Sequence, residues 1–148
     1  MTIPAWVMQL TAVVLLGGTV ASPPACARTL NGFDLSDASV PADDVFRGGP
    51  PRDGIPALTN PHYVKAAEAT FLESGDRILG ARLDGKPYAY PVGIMNYHEI
   101  INHSRGANQW LITYCPLCGT GMVFDASVGG ENLTFGVSGL LYNNDLLM

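Results

Sequence analysis

The stretch WLITYCPLCGTGMVFDA, residues 110–126, sets the terms for the whole chain. Trp110 to Tyr114 is an aromatic and β-branched run of strand composition that leads straight into Cys115-Pro116-Leu117-Cys118. Pro116 fixes its own φ and so favours a tight turn, and after Gly119 the chain resumes short, β-like composition to Ala126. The spacing therefore predicts a strand, a turn holding a C-x-x-C dithiol, and a second strand. Because no helix follows the first cysteine, the sulfur lacks the helix N-terminus that activates thioredoxin-like thiols.

Three chemistries fit such a turn. Two intervening residues let the sulfurs close a small-ring disulfide, either as a redox centre or as a structural staple. The same residues also spell C-P-x-C-G, the pattern of a metal knuckle whose turn amides point at two thiolates, and such a half-site takes further ligands to complete its shell. No second C-x-x-C is present. The candidate partners are His62, His98, His103 and the soft side chains Met95, Met122 and Met148. A set of Cys115 and Cys118 with His98 or a methionine would suit copper or zinc.

Upstream, Leu79, Ala81 and Leu83 alternate on one face, Asp84-Gly85 supplies a turn, and KPYAYP returns, which predicts a β-hairpin. Two helices are expected. One starts with Asn60 as cap and Pro61 in the first position, carries Val64, Ala67 and Phe71, and ends at Ser74-Gly75-Asp76. The other runs from Gly93 to His103 with Ile94, Tyr97, His98 and Ile101 on one face and Gly106 to stop it. Its His98 lies beside the apolar stripe with Glu99 on the wetter flank. That pair is either a proton shuttle for the thiols or a core histidine with a solvated neighbour.

Downstream, a Gly129-Gly130 turn, NLTFGVS and LLYNNDLLM are short and β-like. The expected fold is α+β, mainly β, with short antiparallel strands, hairpins and two helices. Residues 28–57 are rich in Gly, Pro, Asp and Ser and are expected to form a linker or an ordered N-terminal loop. Residues 58–148 then form the domain. The chain stops at Met148 within strand-like sequence, so that domain is expected to be incomplete at its C-terminus.

A formal charge of −5 and the lack of any basic run weigh against nucleic acid and anionic membrane surfaces as partners. The first 27 residues carry no charged side chain and end in Ala25-Cys26-Ala27, an A-x-A cleavage pattern after an apolar run. A signal peptide over residues 1–27 is expected despite the missing basic residue in MTIPAW; the alternative is an anchor over residues 3–21. Cleavage before Arg28 would remove Cys26, leave two cysteines and no stable membrane span, and place the protein in the periplasm or outside the cell. An oxidising compartment suits a dithiol.

DGIPAL at residues 53–58, AYPVGIMNYHEIIN at 89–102, TYCPLCGTGMVFD at 113–125 and FGVSGLLYNNDLLM at 135–148 together resemble an exported bacterial and archaeal family of unknown function with a YCPLCGT signature. Some relatives are described as candidate selenoproteins at the cysteine motif, and the resemblance thereby implies redox chemistry. It singles out His98 and Glu99, Cys115, Pro116, Cys118, Gly119 and Thr120, and Ser138, Gly139 and Leu140. Relatives often carry an acidic residue where this chain has His103, and they continue beyond the last motif. The leading expectation is an exported thiol-disulfide redox protein in which Cys115 attacks, Cys118 resolves, and His98 with Glu99 tunes the thiols. A copper or zinc module on Cys115, Cys118 and His98 is the alternative, and an interaction domain with a structural disulfide is the third. The partner implied by the first two is a redox or metal-transfer protein.

Overall fold

The computed structural model describes residues 28–148; the expected signal peptide and Cys26 lie outside the described residues. In chain order the strands and single α-helix are β1 (Thr29–Leu30), β2 (Phe33–Asp34), β3 (Val45–Arg47), β4 (Leu58–Thr59), β5 (Ile78–Leu83), β6 (Lys86–Pro91), α1 (Val92–His98), β7 (Ile100–Arg105), β8 (Asn108–Cys115) and β9 (Thr120–Asp125). They are followed by β10 (Ser127–Val128), β11 (Glu131–Asn132), β12 (Leu140–Tyr142) and β13 (Asp145–Leu146). The central sheet has the order β4-β7-β8-β9, in which β4 runs parallel to β7 and the rest are antiparallel.

Residues Ile100–His103 of β7 and Leu111–Tyr114 of β8 are buried throughout, so the middle of this sheet is covered on both faces. On one face Ile101, Ile112 and Tyr114 pack with Tyr90 of β6 and Met95 of α1. On the other, Ile100 and Leu111 pack with Ala126 and Val137. A third cluster joins Leu35 and Val45 to Leu140, where β3 pairs with β12. The β5–β6 hairpin forms as its sequence predicts: Asp84 (φ 46°) and Gly85 (φ 75°) both take the left-handed conformation of a type I′ turn, whose twist matches that of the strands.

The α+β class with two helices is corrected by the structure to a mainly β fold with one α-helix. The first expected helix does not form. Asn60 sits at φ 46° instead of capping; its amide donates to Asn102 O (2.9 Å) and its Oδ1 accepts from Ser104 N (2.7 Å), which ties the segment to β7. Only a short 3-10 turn, Ala66–Glu68, follows. Val64 and Phe71 remain exposed, so the apolar stripe that would have stabilised a helix has nothing to bury against. The second helix is cut short at Glu99 (φ 57°), and the next residues form β7. The Ile-Ile pair satisfies either period, and pairing with β8 under cover on both faces decides for the strand. NLTFGVS is likewise irregular after Asn132, and its backbone at Phe135 is held at both ends by the Asn102 side chain (2.8 and 2.9 Å).

His103 therefore lies in β7, buried, with the hydroxyls of Tyr63 (2.7 Å) and Tyr90 (3.0 Å) converging on its Nδ1. Tyr88 and Trp110 pack edge-on against the ring. Tyr63 thus anchors the irregular segment that replaces the expected first helix. Burial, and secondarily the Arg105 charge, lower the His103 pKa. Among the described residues no helix is long and apolar enough to cross a membrane.

Two outcomes are expected. Asn102→Leu orphans the amide and carbonyl of Phe135 and should cost about 2–4 kcal/mol in urea unfolding, and a loss under 1 kcal/mol would refute the clamp. The folded His103 binds its proton less readily than the unfolded chain, whose histidine titrates near ~6.5, so that contribution to stability is present above this pH and is lost as pH falls below it. The urea midpoint should drop between about pH 7 and 5.5, and His103→Gln should flatten that slope.

Candidate functional site

Side chains alternate along β8, so Tyr114 enters the core while Thr113 and Cys115 face the other side. Arg77 fixes Tyr114 from below by donating Nη2 to its hydroxyl (2.9 Å). Across the ladder Thr120 opposes Cys115 and Met122 opposes Thr113, which puts Met122 on the thiol face. Gly121 lies between them with Leu79 packed so closely that a Cβ would meet its side chain at 2.8 Å.

The hairpin tip is Pro116, Leu117, Cys118 and Gly119. Gly119 adopts φ 67° and donates its amide to Cys115 O (2.8 Å), turning the chain back into β9. This geometry brings the two free sulfurs to 2.9 Å and aims the Cys118 amide at Cys115 Sγ (3.3 Å). The Cys118 thiol also reaches Asn144 O at 3.7 Å. Its pKa is pushed up to about 11, first by the hydrogen bond with Cys115, then by desolvation and the nearby charges of Cys115 and Asp145. Cys118 therefore holds its proton more tightly than an ordinary cysteine.

A second hairpin completes the site. Asn143 and Asn144 (φ 50° and 64°) form the two-residue turn between β12 and β13 and present Asp145 to the sulfurs. One ligand atom each from Cys115, Cys118 and Asp145 all lie within 4.8 Å of one another. A cleft of about 140 Å³ opens beside them, with Cys115, Thr120, Met122, Asp145, Leu146 and Met148 among its walls. Ser138 holds this arrangement from behind: its Oγ accepts from Leu140 N (3.0 Å) and donates to Leu147 O. Gly139, at φ 69°, lets the chain pass against Pro50, and Leu140 packs in the third core cluster.

Of the residues singled out in the sequence, Cys115, Met122 and Met148 line one cleft, and Cys118 pairs with Cys115. His98 and Glu99 do not join the three-ligand group. His98 donates Nδ1–H to Pro56 O (2.8 Å), and Glu99 ends α1, accepts Tyr114 N at its carbonyl (2.8 Å), and has its carboxyl pKa raised by burial. Met95 is in the core, His62 is exposed, and His103 belongs to the tyrosine cluster on the opposite face of the sheet. Asp145 is not among the residues singled out in the sequence; its one local signal is that it is the single charged residue in 133–148, directly after two turn-forming asparagines.

The site and fold together define a small, mainly β protein with a dithiol at a hairpin tip, flanked by a carboxylate and a methionine-lined cleft. The chain belongs to the DUF3179 family, proteins of unknown function, which it matches over residues 52–148. No curated protein and no solved structure matches it.

Alkylation tests the thiol pair. Because only the thiolate reacts, the raised pKa should make Cys118 slow near pH 8, and removing its principal partner in Cys115→Ala should speed it several-fold at that pH. A pH profile of Cys118 alkylation unchanged by Cys115→Ala would contradict the coupling.

Proposed function

We propose that this chain is an exported metal-binding module that holds one closed-shell thiophilic cation between Cys115, Cys118 and Asp145. The observation that carries the reading is the approach of two sulfurs and one carboxylate oxygen within 4.8 Å at the end of a hairpin. The Cys118 amide directed at Cys115 Sγ is the N–H···S contact of a metal knuckle. Asp145 discriminates between chemistries: its negative charge opposes a bare attacking thiolate but complements a bound cation. Binding would exchange the thiol protons for the metal. The sulfurs, now 2.9 Å apart, would separate to about 3.8 Å on one tetrahedral zinc, given Zn–S bonds of about 2.3 Å.

Thiol-disulfide exchange is the second reading, and the same sulfur spacing favours it. Closing to a disulfide of about 2.05 Å requires an approach of only about 0.9 Å. Cys118 is exposed and available as an entry point. In either case the partner is a protein that receives metal or electrons, and Leu117, 85% exposed between the cysteines, offers it an apolar contact. Export through the leader at residues 1–27 would place this exchange in the periplasm or outside the cell.

Native mass spectrometry of protein purified without chelator or reductant decides between the two. The metal reading expects one bound ion, thiols that resist alkylation until a chelator is added, and loss of the ion in Cys115→Ser. A mass two hydrogens light with no ion retained would favour the disulfide reading. Thiols that alkylate equally fast with and without saturating Zn(II) and Cu(I) would sink the metal reading.

A further inference from the structure

We infer that the cleft beside the thiols is a Cu(I) site, with the thioethers of Met122 and Met148 completing the shell begun by Cys115 and Cys118, while Asp145 is the third ligand for a divalent ion. This rests on the metal reading of the thiol pair and assigns its ion and its remaining ligands. The cleft beside Cys115 is lined by two methionines, Met122 of β9 and Met148 beyond β13. Met122 is fixed on β9 opposite Thr113, on the same face as Cys115, and Met148 follows Leu147, whose carbonyl is held by Ser138. Met122 remains 45% exposed, so it is not consumed by the core. A methionine used as filler, such as Met95, is buried completely.

The chemistry follows from ligand softness and charge. Thioethers are neutral, soft donors that favour Cu(I), whereas a carboxylate suits harder divalent ions. Cu(I) on two thiolates carries a net charge of −1, and neutral thioethers leave it there. Adding the Asp145 carboxylate would raise it to −2. Zn(II) on two thiolates is neutral and gains from Asp145. One site thus offers two alternative third ligands, and the methionines are the set that serves copper. Binding is a proton exchange without electron transfer: Cu(I) displaces up to two thiol protons to solvent and forms two copper–thiolate bonds.

The test is an anaerobic titration of the full chain with Cu(I) against a competing chromogenic chelator, with Zn(II) measured in parallel. Met122→Leu combined with Met148→Leu should weaken Cu(I) binding by about tenfold or more and leave Zn(II) affinity within about twofold. Asp145→Asn should do the reverse, weakening Zn(II) and sparing Cu(I). X-ray absorption of the copper-loaded protein should count more sulfur ligands in the wild type than in the double methionine variant. Retained Zn(II) affinity in that variant also shows that it is folded. If the wild-type chain binds both ions and the double variant keeps its full Cu(I) affinity, the inference is overturned while the metal reading stands. If the wild type binds neither ion, the metal reading itself falls.

Discussion

The pairing of β7 with β8 under cover on both faces is the constraint on which the remaining structure depends. Ile100, Ile101, Leu111 and Ile112 are all almost fully buried, and each contributes about 1.5–3 kcal/mol by leaving water. Two faces of one sheet therefore each need a lid. The β5–β6 hairpin and α1 cover one, and the irregular segment with Phe135 and Val137 covers the other. Asn102 serves the second lid directly, since its amide satisfies both backbone groups of Phe135 in a place where unpaired groups would be costly.

The thiol site sits where that cover ends. Tyr114 is the last residue of β8 to enter the core, and Thr113 and Cys115 line the cleft from the other face. What closes the cleft is sequence-distant: β12 and β13 pack beneath through Leu140 and Ser138 and carry Asp145 and Met148 to the sulfurs. One hairpin thus supplies two thiols and Met122, and a second supplies the carboxylate beside them. Binding sites set on scaffolded hairpins keep their geometry better than sites on free loops.

The opposite face carries a different polar cluster. His103 is enclosed by Tyr63, Tyr88, Tyr90 and Trp110, and burial pushes the Tyr63 hydroxyl up to about 12 and that of Tyr90 upward as well. All three groups stay neutral, and their mutual hydrogen bonds hold the segment after Asn60 against the sheet. That segment has helical periodicity but no hydrophobic partner, and a tyrosine–histidine contact outweighs its weak helical preference.

The sequence by itself determined the features that local chemistry controls. The Asp84-Gly85 turn needs left-handed backbone at two residues, and the Cys115–Gly119 tip needs a proline and a glycine, so both hairpins are legible from neighbours alone. The dithiol and the soft character of Met122 and Met148 are legible in the same way. Tertiary structure alone decided the two helical segments, because Ile100-Ile101 fits more than one period and the helically spaced Val64, Ala67, Phe71 stripe finds no packing partner. It alone decided the third member of the thiol site too. Asp145 lies 27 residues beyond Cys118 in sequence, and only the stacking of one hairpin on another brings its carboxylate to the sulfurs while leaving His98 bonded elsewhere.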